Sequence, residues 1–288
     1  MVKMVMRIIK RKKGKTQYFY LQHSFRKDGK VITKELYLGK KVPDNIEEIK
    51  AKLMLEAKKA LSEKLEKIKN RFQKEWKRYP ESAKEKELQE IAIAFTYNTN
   101  AIEGSTITLE EARLILEDKV APNKPIKEIR ETESHAAVFL DMLKTEEAVS
   151  EELLLKWHAE LFKETKPDIA GRFRQYLVRV GPYVAPDWND IERLMEQVVS
   201  FVNDSKLNPV EVAARAHYIF EKIHPFGDGN GRIGRLLMNY ILWRNGYPLL
   251  IIEYKRRKSY YKALQRTEDG FVNYFIRRYI AVHKKRLQ

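Results

Sequence analysis

The feature that most constrains this chain is the run Ile223-His224-Pro225-Phe226-Gly227-Asp228-Gly229-Asn230-Gly231-Arg232-Ile233-Gly234-Arg235. It places an imidazole, a carboxylate, alternating glycines and two arginines in one turn between two predicted helices. The incoming helix starts at Asn208-Pro209-Val210-Glu211, an N-cap followed by a first-turn proline and a carboxylate at the third position. It runs through Ala213, Ala214, His217 and Phe220 to Ile223, with His224 at its end. The outgoing helix carries Ile233, Leu236, Leu237, Tyr240 and Ile241 on one face and stops at Asn245-Gly246, a C-terminal glycine signal. Gly227, Gly229 and Gly231 let backbone N–H groups converge, and the new helix adds its positive end, which makes an anion cradle suited to phosphates. Arg232 and Arg235, three apart, can grip phosphate oxygens from nearly one face. Asp228 is a lone carboxylate beside the cradle, and one carboxylate with phosphate oxygens and water is the usual way magnesium is held. His224 is the natural general base for an attacking hydroxyl. The competing reading, a glycine-rich helix–loop–helix in which His224 only caps a helix, leaves this coincidence of parts unaccounted for. The parts point to phosphoryl or nucleotidyl transfer.

Length and composition set the frame around that turn. A chain of 288 residues is one large domain or two small ones, ample for a core. Lysine and arginine exceed the acidic residues, 56 against 40, for a formal charge of +16. Such a surplus attracts nucleic acid, anionic membrane or acidic proteins, but the basic residues are dispersed, which favours a generally charged surface. With no cysteine there is no disulfide framework and no thiolate metal site. The apolar run within Met1–Ile9 is too short for a signal peptide or a span, and nothing later is long enough. A soluble, cytoplasmic chain without membrane contact is expected.

The central run resembles the signature of the Fic family, His-x-Phe-x-Asp/Glu-Gly-Asn-Gly-Arg-x-x-Arg, at every fixed position. The resemblance implies AMP transfer from ATP, with magnesium, to a Ser, Thr or Tyr hydroxyl of a protein, including this chain itself. It assigns His224 as base, Phe226 as the loop's hydrophobic anchor and Asp228 as metal ligand. Gly227, Gly229, Asn230 and Gly231 would surround the phosphates, with Arg232 and Arg235 binding them and Arg235 nearest the γ-phosphate. Relatives that phosphorylate instead depart from the Gly-Asn-Gly part of the loop, which this chain keeps. Upstream, Thr99-Asn100-Ala101-Ile102-Glu103-Gly104 is similar to the family's inhibitory motif, matched by Thr99, Glu103 and Gly104. The motif implies that Glu103 lies against Arg235 and restrains the site, or orients a water for AMP removal. Taken without the family, Glu103 is a surface carboxylate and Gly104 a helix cap.

In chain order, residues 1–41 predict a small three-stranded antiparallel β module: Val5–Ile9, Gln17–Phe25 and Val31–Leu38, with Asp28-Gly29 a hairpin signal. Its aromatics, interleaved with Lys and Arg, suit nucleic acid; Tyr18, Tyr20 and Tyr37 equally suit a core, and packing or partner docking is the favoured role. The module is also similar to small sheets at the start of some recombinases and transposases. This leaves a second reading open, a nucleic-acid-binding regulator with the Fic site as nucleotide sensor. Residues 42–80 predict a helical spacer whose apolar stripe runs from Ile46 to Trp76 and could pack on the sheet or on a second copy as a homodimer. Residues 81–288 would then be the Fic domain, a mainly α bundle with a β-hairpin flap. A helix runs from Lys84, Thr108-Leu109-Glu110-Glu111 is a capping box, and further helices cover 126–145, 150–163, 187–202, 257–264 and 270–283. His135 and His158 share no metal spacing and read as structural. Residues 171–186 alternate like a strand pair and are similar to the family's flap, which binds the target by strand addition; Val178, Arg179, Val180 and Tyr183 would face it. Leu249–Ile252 is core or a brief strand. Tyr260 and Tyr261 fall where relatives place an aromatic near the nucleotide base; Tyr261 is the choice, with a core tyrosine the equal alternative.

Overall fold

The computed structural model describes the backbone of residues 5–27 and 30–288. The Asp28-Gly29 hairpin signal lies outside the described residues. The chain divides into two compact units, Met1–Glu66 and Lys67–Gln288. The first holds the meander β1 (Val5–Lys13), β2 (Thr16–Lys27) and β3 (Lys30–Gly39), antiparallel throughout, with a register shift at Phe19/Tyr20. Leu21 is fully buried, whereas Tyr37 is 54% exposed and meets the Tyr20 ring at a tilt, 5.3 Å between centroids. Tyr37 is therefore a surface aromatic that shields a sheet face, not a core residue.

Helix α1 (Ile46–Arg78) is the predicted amphipathic spacer, and α2 (Glu81–Ile102) follows after Pro80. Helix α2 starts three residues before the predicted Lys84, because Pro80 fixes an extended N-cap and admits helix at once. In the second unit α3 (Leu109–Arg113) opens on the Thr108/Glu111 capping box and passes into a π-turn at Leu114–Asp118. Next come α4 (Ile126–Lys144), α5 (Glu151–Phe162), the hairpin β4 (Arg179–Val180) with β5 (Tyr183–Val184), and α6 (Ile191–Asp204). The chain closes with α7 (Pro209–Ile223), α8 (Asn230–Arg244), α9 (Arg257–Leu264) and α10 (Glu268–Val282). The last helix starts at Glu268, before the predicted Gly270, because the Thr267 hydroxyl caps it by accepting from Gly270 N at 3.3 Å.

Helix α8 is the axis of this unit. Every residue from Asn230 to Leu242 is buried, the mark of a helix enclosed on all sides. Burying Arg232, Arg235 and Asn239 with it is costly unless each finds a partner. Asn239 does so by bonding Leu250 twice, donating to its carbonyl at 3.2 Å and accepting its N–H at 2.8 Å. That pairing holds Leu249–Ile252 extended as core, with side-chain bonds in place of a strand partner. The predicted 171–186 strand pair shortens to the two-residue strands β4 and β5, because buried Arg174 claims the carbonyls on either side. Among the described residues no helix is long and apolar enough to cross a membrane.

Candidate active site

The turn between α7 and α8 is rigid by construction. His224 ends α7 in the left-handed region, φ 53°, with its N–H on Phe220 O at 2.9 Å. Phe226 is wholly buried and stacks on His158 at 3.9 Å between centroids. Its side chain is thus an anchor and has no face to offer a nucleotide. Asn230 closes the turn: its Oδ1 accepts from Phe226 N at 2.8 Å and its Nδ2 donates to Phe226 O at 2.9 Å. Gly229 has φ 78°, and a Cβ there would overlap the Phe162 ring. A Cβ at Gly227 would likewise overlap the Tyr176 hydroxyl. The N–H groups at the start of α8 have no intrahelical partners, and Gly231, lacking a Cβ, lets a neighbouring carboxylate lie over them.

Two supports came from residues that sequence reasoning missed or left idle. His158 Nδ1 accepts from Gly171 N at 3.0 Å, so Nε2 carries the proton and donates to Asp228 O at 3.0 Å. Burial holds this imidazole down at about 4, which keeps it neutral. Arg174, only 3% exposed, donates to His224 O at 2.8 Å, Tyr176 O at 2.6 Å, Pro186 O at 2.8 Å and Ile223 O at 3.3 Å. One guanidinium thereby ties both roots of the β4–β5 hairpin to the carbonyl of the candidate base. Arg174→Met should strand these carbonyls and lower stability by about 3 kcal/mol or more, read as a lower denaturant midpoint. Unchanged stability would mean water replaces the guanidinium.

The structure brings the predicted charged residues together in two clusters. In one, Asp228 carries the Lys166 ammonium, accepts from Gly229 N at 2.5 Å and lies 3.4 Å from Arg232 Nη2. Arg232 is bound to Glu131 of α4 and covers the Phe162 ring at 4.5 Å. Burial alone would raise Asp228, but Lys166 and Arg232 outweigh it and hold the carboxyl below the usual range. In the other cluster Arg235, 1% exposed, meets Glu103 Oε1 at 2.6 Å and Thr99 O at 3.3 Å through Nη2, and Tyr260 Oη at 3.4 Å through Nη1. Glu103 is also the atom a Cβ at Gly231 would strike, so its carboxylate lies over the first turn of α8. Gly104, φ 97°, ends α2 behind it, and Ser105 and Thr106 are tied to Glu128.

Tyr261 is 41% exposed and donates to Ile102 O at 2.7 Å, so it braces the end of α2 one residue from Glu103. Tyr260, fully enclosed, joins His217 Nε2 at 2.8 Å and Glu221 at 3.5 Å. Burial raises Glu221 to about 7, one turn before His224. Burial also holds His224 below the usual imidazole range, with Arg174 adding to it, and the Glu103 and Asp228 charges do not reverse this. Its Nδ1 is buried with no hydrogen-bond partner among the described residues. In the hairpin, Tyr183 Oη donates to Lys222 O at 2.9 Å, while Val180 and Arg179 face solvent and Val178 O accepts from Ala185 N at 3.0 Å.

A neutral imidazole, a glycine-lined helix N-terminus, two arginines and a hairpin on an α bundle define the Fic class of fold. The Fic/DOC family profile matches residues 148–242, from the start of α5 almost to the end of α8. Residues 148–242 therefore form a Fic domain. Protein adenylyltransferase Fic of Nematostella vectensis is 36% identical over 198 residues, 66% of this chain and 46% of that one. Protein adenylyltransferase fic-1 of Caenorhabditis elegans is 35% identical over 209 residues, 69% and 41% of the two chains. This chain thus spans less than half the length of these curated relatives. A solved structure of residues 134–508 of C. elegans Fic-1 is 28% identical with a TM-score of 0.69, covering 85% of this chain and 78% of that one. A Fic-domain signalling protein of Bacteroides thetaiotaomicron shares the fold at a TM-score of 0.66 and 23% identity, over 78% of this chain and 97% of that one.

Proposed function

We propose that this chain is a protein adenylyltransferase that moves AMP from ATP to a protein hydroxyl and is restrained by Glu103. One observation carries the reading. The Glu103 carboxylate rests on Arg235 and over Gly231, an anionic oxygen held where a cradle of helix N–H groups and a guanidinium would hold a phosphate. The names of the relatives, protein adenylyltransferases, favour AMP over other groups.

In this reading Arg235 and Arg232 take phosphate oxygens, and the start of α8 stabilises charge that builds as the α-phosphorus is attacked. His224, neutral at pH 7, accepts the proton from the incoming Ser, Thr or Tyr hydroxyl. Tyr261 would lie by the base, and the exposed edge of β4, at Arg179 and Val180, would pair with the target segment beside Val178 and Tyr183. Cytoplasmic residence belongs to the same reading, since the donor is a nucleoside triphosphate. Used hydrolytically, the site would remove AMP, with Glu103 orienting the water.

The donor set fits a magnesium ion carried by phosphates. Among the described residues no group of three His, Asp or Glu could cage a metal alone, and Asp228 offers one part-exposed carboxylate that already attracts a cation. Asp228 would hold the ion, which when bound neutralises phosphate charge. Asp228→Ala should abolish the dependence of ATP binding on magnesium in isothermal titration; an unchanged magnesium titration would place the ion elsewhere. The test of the whole proposal is mass spectrometry of the chain incubated with ATP and magnesium, alone and with lysate. An AMP adduct on a hydroxyl supports it, and its absence from the Glu103→Gly variant as well would sink it.

A further inference from the structure

Asp228, the carboxylate of the loop, is occupied. Lys166, just past the end of α5, places its ammonium on Asp228 Oδ2. The same ammonium lies 3.4 Å from Glu131 Oε1, whose partner oxygen is bound to Arg232. Lys166 is 19% exposed and Glu131 12%, so both are largely withdrawn from water. Glu131 Oε1 is buried without a hydrogen bond of good geometry, an acceptor still open to a closer donor. The Lys166 ammonium also lies over the Phe162 ring, 4.7 Å from its centroid, a cation–π contact that favours this corner. Neither Lys166 nor Glu131 lies in the glycine-rich run or answers to its motif. They reach the loop from the segment after α5 and from α4.

We propose that Lys166 is the resident counter-cation of Asp228, competing with a divalent ion for the carboxylate, and that Glu131 is the acceptor to which it withdraws. The inference rests on the nucleotide reading above and deepens it. The charge arithmetic is balanced in both arrangements. With no nucleotide, Lys166 neutralises Asp228 while Arg232 neutralises Glu131. When phosphates draw on Arg232, Glu131 loses its guanidinium and gains a reason to hold the ammonium. Asp228 is then released to a metal at the moment the phosphates arrive. A charge at contact distance changes a carboxylate's affinity for a proton by about ten- to a thousandfold, and a metal ion competes for the same lone pairs. The site is thereby set to bind metal with nucleotide in preference to metal alone.

The probe is Mn2+ in place of Mg2+, its free concentration read by electron paramagnetic resonance, with the full chain and with α,β-methylene-ATP present or absent. Lys166→Met keeps an unbranched side chain of similar length and removes the charge. It should tighten Mn2+ binding without nucleotide by about tenfold or more and shrink the difference the nucleotide makes. Lys166→Arg keeps the charge and should bind Mn2+ as weakly as the original chain, which separates charge from packing. Asp228→Ala identifies the site, since binding that survives it is elsewhere. Equal affinity in Lys166→Met and the original chain, with binding lost in Asp228→Ala, overturns the competition and leaves the nucleotide reading intact. No Asp228-dependent binding in any variant, even with the nucleotide, overturns both. No outcome depends on AMP transfer.

Discussion

His224→Ala is expected to bind ATP as the original chain does and to transfer AMP ~10²–10⁴-fold more slowly, the usual contribution of a positioned base. Binding is spared because the N–H groups of the turn are shaped by Asn230 and Gly229, not by the imidazole. The residual rate comes from phosphate neutralisation, which the substitution leaves in place. The pH profile provides a second check. Burial lowers the pKa of His224 from the ordinary 6.5, so its neutral, proton-accepting form predominates at pH 7. Transfer should rise with pH only below about 6.5 and be level above it. Labelled-AMP transfer in the Glu103→Gly background, where turnover is fastest, measures both. Full activity in His224→Ala removes the imidazole from the chemistry, and a rising limb centred well above pH 7 assigns the titration to another group.

Glu103→Gly is expected to raise AMP transfer at least about tenfold, equivalent to 1.4 kcal/mol of barrier. The carboxylate holds Arg235 at 2.6 Å and lies over Gly231, so it both occupies the guanidinium and repels an incoming triphosphate. The freed guanidinium stays charged, because arginine is too strong a base to lose its proton near neutral pH. Adding Arg235→Ala should erase the gain, because the two residues act through one contact. Self-labelling with AMP at fixed ATP and magnesium compares the three chains. If Glu103→Gly labels no faster than the original, Glu103 is an ordinary helix-end carboxylate or serves the hydrolytic direction.

The site was legible wherever the chain carries it continuously. His224 to Arg235 lie in one turn, so spacing alone predicts that imidazole, carboxylate, glycines and guanidiniums converge. The helix signals around it, Asn208-Pro209 and Asn245-Gly246, matched observed ends to within a residue or two. Glu103 was legible only through the resemblance, since nothing in a six-residue pattern says which arginine, 132 positions away, it will meet. Arg174, Glu131 and Lys166 were not legible. Each reaches the site from a separate element, and a lone charged residue in a chain one-third charged carries no local signal. Arg174 also accounts for the overextended strand pair, because alternation in 171–186 reports a segment stretched between side-chain anchors as readily as one paired to a neighbour. Lys166 would have needed the one observation sequence cannot supply, the carboxylate it faces.

Asn230 bonds both the N–H and the carbonyl of Phe226, closing the loop upon itself with no help from a ligand. The ordering of that loop is therefore a cost met once, when the domain folds, and not at each turnover. Binding energy from the triphosphate need not be diverted into shaping its own receptor. Heating should consequently inactivate the site together with the helical bundle, in one cooperative step, instead of through an earlier melting of the loop.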